Sequence, residues 1–180
     1  MNTSFQGTLR RIQDSKGADY LAVVLSDCAL LRVGWAHLAN IGLEKAILAR
    51  HTRDGVDNVH VTIMNVAEWG GIKKYKPELL TRVECLLETQ VSMAFHGIGH
   101  TMGTNMINLA WYGILSCESM VRLRENIGIR AKDFHVTMAF SPKDVFDSPK
   151  GLATMVVPVA QLLGKPFNNL VDVEYGRGPC

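Results

Sequence analysis

No stretch of this 180-residue chain approaches the roughly 18 consecutive apolar residues of a membrane-spanning helix, so none is expected. The opening residues, Met1 to Gly7, lack the basic and then apolar pattern of a secretory signal. Cysteine is scarce and unpatterned: Cys28, Cys85, Cys117 and Cys180 show neither CxxC nor His-paired metal spacing. They read as reduced thiols in a cytoplasmic protein that needs no metal and no cofactor. Charge of one sign is missing too, since 19 basic residues face 17 acidic ones for a net charge of +2. That balance excludes the strong positive field that draws a protein onto long DNA or RNA, and suits a small anionic substrate held in a local pocket. No low-complexity segment or linker interrupts the chain.

What is present is an ordinary globular composition, 47% hydrophobic and 20% charged. The length suits one well-buried core or two small lobes sharing a sheet, so residues 1–180 are taken as one bilobal domain.

The chain's distinctive feature is a phrase that occurs twice: His60-Val61-Thr62-Ile63 and His135-Val136-Thr137-Met138. In an extended strand side chains alternate faces, so each copy points its His and Thr to one side and its apolar pair into a core. A single His-x-Thr carries little information. Two matched copies, each with a polar opening, an apolar lead-in and an apolar exit, have the look of a duplicated architecture. A core has no reason to want the same polar pair at two corresponding places.

The paired His-x-Thr strands resemble the signature of the 2H phosphoesterase superfamily, which includes 2′-5′ RNA ligase-like proteins and cyclic nucleotide phosphodiesterases. The stretch Phe134-His135-Val136-Thr137-Met138-Ala139-Phe140-Ser141-Pro142-Lys143-Asp144-Val145-Phe146 is most similar to its Swiss Army Knife RNA repair-like branch. The resemblance implies an α+β fold: two antiparallel sheets related by a pseudo-two-fold axis around a central cleft, with helices outside. It further implies that His60 and His135 share acid and base work while Thr62 and Thr137 hydrogen-bond the phosphate oxygens.

Breaking a phosphodiester requires one group to deprotonate the nucleophile and another to protonate the leaving oxygen, and two imidazoles can divide those tasks without a metal. The expected activity is hydrolysis of a 2′,3′-cyclic or 2′-5′-linked ribonucleotide, at an RNA end or as a small nucleotide. The alternatives are a cyclic dinucleotide signal hydrolase of the same superfamily, RNA end ligation, and a non-catalytic nucleotide- or RNA-binding module.

Around these strands the pattern predicts a short entry helix over 8–16, a central strand at Tyr20–Leu25 and a helix from Trp35 to Arg50 disturbed at Gly42. A polar turn over His51–Asn58 leads into the first motif. Trp69-Gly70-Gly71 with Lys73 and Tyr75 suggests a mobile loop able to stack a base and hold an anion. A helical stripe follows over Leu79–Leu87. Val91–Thr101 forms a hairpin with Thr104–Tyr112 across Met102-Gly103, a helix spans Ser116–Asn126, and 154–163 makes a last strand or helix before a loose end from Gly176. His96 and His100, four apart on that strand, are read as hairpin or cleft-lining groups and not as a metal pair. Trp69, Trp111 and Tyr112 are candidates for base stacking, and Lys73, Tyr75, His96, His100 and Lys143 for further substrate contacts.

Overall fold

The computed structural model describes residues 3–26, 28–56 and 58–164. Its strands are β1 (Ser4–Gln13), β2 (Asp19–Leu25), β3 (His60–Met64), β4 (Gln90–Met102), β5 (Leu109–Ser116), β6 (Phe134–Ser141) and β7 (Met155–Pro158). Its helices are α1 (Ala29–Asn40), α2 (Glu44–Asp54), α3 (Val66–Tyr75), α4 (Leu80–Glu84), α5 (Glu118–Asn126) and α6 (Val159–Gly164). The architecture is α+β and all the strand pairs are antiparallel.

The seven strands belong to one sheet in the order β3-β2-β1-β4-β5-β6, with β7 added to the edge of β4, where two separate sheets were expected. The reason is the pairing of Ser4–Thr8 of β1 with Ala94–Gln90 of β4, which joins two three-strand meanders by backbone hydrogen bonds. The motif strands β3 and β6 stand at opposite ends of that order, yet they lie against each other in space. The sheet therefore bends round on itself, which is how residues distant along the sheet come to share a cleft. At the bend of β4, Gly97 has φ +145°, and a Cβ there would fall 2.1 Å from the Val157 carbonyl oxygen. Only glycine lets β7 approach so closely.

One apolar core fills the space between the sheet and its helices, gathering Leu9, Val23, Leu31, Leu38, Val61, Ile63, Phe95, Phe134, Val136 and Met138. The apolar partners of both motifs, Val61 with Ile63 and Val136 with Met138, are buried, which fixes the opposite orientation for the His and Thr beside them.

Several expected elements take another form. Residues 8–16 do not make a helix: the alternation of buried Phe5, Gly7 and Leu9 begins before residue 8 and makes this stretch the second half of a strand. The helix expected from Trp35 to Arg50 is two helices, α1 and α2, because Gly42 adopts φ +86° between them. Residues 51–54 are the last turn of α2 and not a loop, and the chain turns only at Gly55. Trp69 to Tyr75 is helical. Asn65 accepts a hydrogen bond from the Glu68 backbone N–H while Glu68 accepts one from the Asn65 N–H, each at 2.9 Å. This reciprocal cap, with Trp69 and Ile72 buried, outweighs two glycines that cost about 1 kcal/mol each in a helix.

The β4–β5 connection runs through 103–108, longer than the expected two-residue link, because the Asn105 side chain accepts from the N–H groups of Ile107 and Asn108 and builds its own turn. Ser116 ends β5, so α5 begins at Glu118 behind Cys117. The last segment supplies both a strand and a helix, β7 and α6. The expected loose end from Gly176, and Cys180 with it, lies outside the described residues. Among the described residues no helix is long and apolar enough to cross a membrane.

Candidate active site

A cavity of about 340 Å³ opens where β3 and β6 meet, and His60, Thr62, His135 and Thr137 all line it. Its remaining wall comes from the β1–β2 turn (Gln13, Asp14, Ser15), from Tyr20 on β2, and from Arg50, Arg53, Asp54 and Asn58 at the end of α2. Strand alternation delivers the motif side chains to one side, and the turn before β3 is pinned in place. Arg50, 1% exposed, donates to the Gly55 carbonyl at 2.8 Å and to the Asn58 carbonyl at 2.7 Å, anchoring two points of the chain between α2 and His60.

A second buried arginine ties the two motif strands from behind. Arg124 of α5, 2% exposed, hydrogen-bonds the Ile63 carbonyl of β3 and the Arg130 carbonyl ahead of β6, and pairs with Glu68 at 2.7 Å. Burial works to raise the Glu68 carboxyl, but Arg124, the Asn65 N–H and Lys132 together outweigh it and hold the group below its ordinary value. Lys132, beside the same pair, is pushed down to about 8 by burial.

The two histidines occupy different surroundings. His60 Nε2 lies 3.1 Å from the Tyr20 hydroxyl, while its Nδ1 is buried with no hydrogen-bond partner among the described residues. His135 stands edge-on to the Tyr112 ring, with centroids 5.7 Å apart. Burial lowers both imidazoles below their ordinary value. His135 is driven down to about 3, first by burial and then by Lys150 and Lys132. Both rings are therefore neutral at pH 7, and the negative charge of a phosphodiester would raise both.

Below Thr137 sits Asp144, 7% exposed and accepting on both oxygens. Its Oδ1 takes the Val145 N–H at 2.8 Å and the Lys150 ammonium at 2.9 Å. Its Oδ2 takes Arg53 Nη1 at 2.8 Å and the Thr137 hydroxyl at 3.3 Å. Burial pushes the Asp144 carboxyl up, but Lys150 and Arg53 outweigh it, so the group stays ionised.

The other residues singled out from sequence are not among those lining the cavity. Trp69 is 2% exposed inside the core and has no face free for a base. Lys73 lies 3.7 Å from Asp19, and Tyr75 is exposed beneath the Lys74 ammonium. His96 bonds the Ser116 hydroxyl at 2.7 Å, and His100 stacks on its cross-strand neighbour Trp111 with centroids 5.1 Å apart. Four residues of extended chain separate those two histidines by about 13 Å, too far for one metal. Tyr112 is buried, its ring against His135 and its hydroxyl on Thr154. Lys143 is exposed.

Sequence reasoning missed Tyr20, Arg50, Arg53, Asp144 and Lys150. Arg50 and Arg53 stand three apart at the end of a helix that runs directly into the first motif. That was the available signal, and the reading of His51–Asn58 as a loop concealed it.

A scan against protein-family models matched the family described as Swiss Army Knife, 2H phosphoesterase domain, over residues 19–146. No curated protein and no solved structure matched the chain. The matched span contains both His-x-Thr strands together with Tyr20, Arg50, Arg53, Asp54 and Asn58, every residue that lines the cavity except Gln13, Asp14 and Ser15. The chain belongs to the Swiss Army Knife family of 2H phosphoesterase domains.

Proposed function

We propose that the protein is a metal-independent phosphodiesterase that hydrolyses a 2′,3′-cyclic or 2′-5′-linked ribonucleotide by acid–base catalysis between His60 and His135. Family membership supports phosphodiesterase-type activity in general. The observation that carries the finer reading is the shared cavity: two His-x-Thr pairs, 75 residues apart in sequence, open onto one space lined also by Arg50 and Arg53. The two lobes of the expected architecture correspond, on this reading, to the β1–β3 and β4–β6 meanders, each ending in a motif strand.

A volume of about 340 Å³ suits one nucleotide and its phosphate better than a whole cyclic dinucleotide. His135, driven furthest toward the neutral form, is the base. His60, reached through Nε2, is the acid once substrate charge raises it. Thr62 lies beside His60 to donate to a non-bridging oxygen as charge builds on phosphorus, and Thr137, which donates to Asp144 before substrate binds, would turn its single O–H from that carboxylate to do the same.

The test is turnover, in chelator, of a short RNA ending in 2′,3′-cyclic phosphate beside a 2′-5′-linked dinucleotide and a cyclic dinucleotide. Wild type should open the cyclic phosphate, and His60→Ala and His135→Ala should each lose about 10²- to 10⁴-fold in kcat. Preference for the cyclic dinucleotide would move the protein to nucleotide signalling. No turnover of any of the three by wild type would leave a binding module, and turnover unchanged in both variants would take the two histidines out of the chemistry. The kcat/KM profile should be bell-shaped and fall about tenfold per pH unit above roughly 6.5, because burial holds His60 below that value and the acid is lost as pH rises.

A further inference from the structure

Arg53 lines the cavity from the last turn of α2, and its guanidinium is held on two sides. Nε and Nη2 each lie 2.6 Å from an oxygen of Asp54, and Nη1 lies 2.8 Å from Asp144 Oδ2. A guanidinium has five N–H groups, so these three bonds leave two for a ligand. The plane is fixed further by the Phe140 ring, 4.6 Å from the guanidinium carbon. The side chain remains 38% exposed. A cation that is oriented by two carboxylates, stacked on an aromatic ring and still open to the cleft is arranged to receive an anion in a set direction.

Asp144 gives that arrangement its link to the second motif. The carboxyl oxygen that accepts from Arg53 also accepts from the Thr137 hydroxyl, so the guanidinium and the motif hydroxyl are held side by side by one atom. Lys150 and the Val145 N–H occupy the other oxygen and keep the carboxylate from turning.

We infer that Arg53 is the residue that grips the substrate's phosphate group and that Asp144 is its positioning residue, aligning the guanidinium with Thr137. The inference rests on the phosphodiesterase reading of the cleft but asks about anion binding, which is measurable apart from turnover. Phosphate makes both remaining N–H contacts, while the His60 and His135 rings stay free for proton transfer.

The experiment is calorimetric titration of the full chain with inorganic phosphate, each variant first checked for folding by circular dichroism and thermal midpoint. Arg53→Met should weaken phosphate binding at least tenfold. Arg53→Lys should recover only part of it, because charge returns without the fork. Asp144→Asn should weaken binding severalfold in the wild-type background and have no further effect in Arg53→Met, a non-additivity that a merely structural role would not produce. Arg122→Met, removing an exposed cation of α5, should bind like wild type.

Binding by Arg53→Met within twofold of wild type, independent effects of the two substitutions, or no phosphate binding by wild type would each overturn the inference. Failure of the phosphodiesterase reading is a different result: phosphate bound through Arg53 but no cyclic phosphate opened.

Discussion

The two His-x-Thr strands are nearly identical in sequence and sit in unlike places. On β3 the imidazole is tied to the Tyr20 hydroxyl at 3.1 Å, and the Thr62 hydroxyl makes no hydrogen bond within the described residues. On β6 the imidazole lies against the Tyr112 ring with Lys150 and Lys132 acting on it, and Thr137 is engaged by Asp144. A duplicated motif therefore does not mean duplicated chemistry. The environment pulls two identical side chains apart in proton affinity, which is what a division into acid and base requires.

The largest test of the comparison concerns what holds the two strands together. Arg124→Met would strip the Ile63 and Arg130 carbonyls and Glu68 of a buried donor and should cost about 3–5 kcal/mol of stability by urea unfolding. A loss under about 1 kcal/mol would mean that the strands stay together without it.

The next test separates the imidazoles by pH. His135 stands at about 3 in the folded protein, against about 6.5 in an unfolded chain. Between those values the unfolded chain holds a proton that the folded one does not, so stability is complete above about 6.5 and declines as pH falls toward 3. From pH 7.5 to 5 the decline should be about 2 kcal/mol. His60 acts in the same direction, since burial lowers it as well. Urea unfolding of His135→Asn should show most of this acid sensitivity gone, and His60→Asn a smaller part. Equal effects would erase the distinction between the two halves.

The smallest test addresses the tyrosines. Removing the Tyr20 hydroxyl from His60 Nε2 should lower kcat/KM about fivefold, the worth of one ordinary hydrogen bond. Tyr112→Phe keeps its ring on His135 and gives up a bond to Thr154 instead, so it should act chiefly on the melting temperature. If Tyr112→Phe slowed turnover more than Tyr20→Phe, the roles of the two would have to be exchanged.

Much of the site was legible because its signal is local. Period-two alternation around His60 and His135 dictates that the His and Thr leave the core together, and the structure brings both pairs to one cavity. Similar alternation identifies β4, while β2 is recognised from a β-branched and aromatic run that is apolar on both faces. Alternation fails at β1, where two of the three inward residues, Phe5 and Gly7, lie before the basic stretch 8–16 and only Leu9 falls within it. Trp69 was misread because two glycines argue for a loop, whereas the Asn65–Glu68 cap and the burial of Trp69 and Ile72 make a helix. The cap could have been read from sequence; the burial could not.

Sequence by itself determined the two motif strands, their orientation and the kind of chemistry two imidazoles can share, because each follows from backbone geometry over a few residues. Tertiary structure alone decided that β1 and β4 join the halves into one sheet, that Arg53 of α2 meets Asp144 beyond β6, and that the two histidines differ in proton affinity. Those depend on burial and on charges brought together from 91 residues apart, and no local pattern encodes such distances.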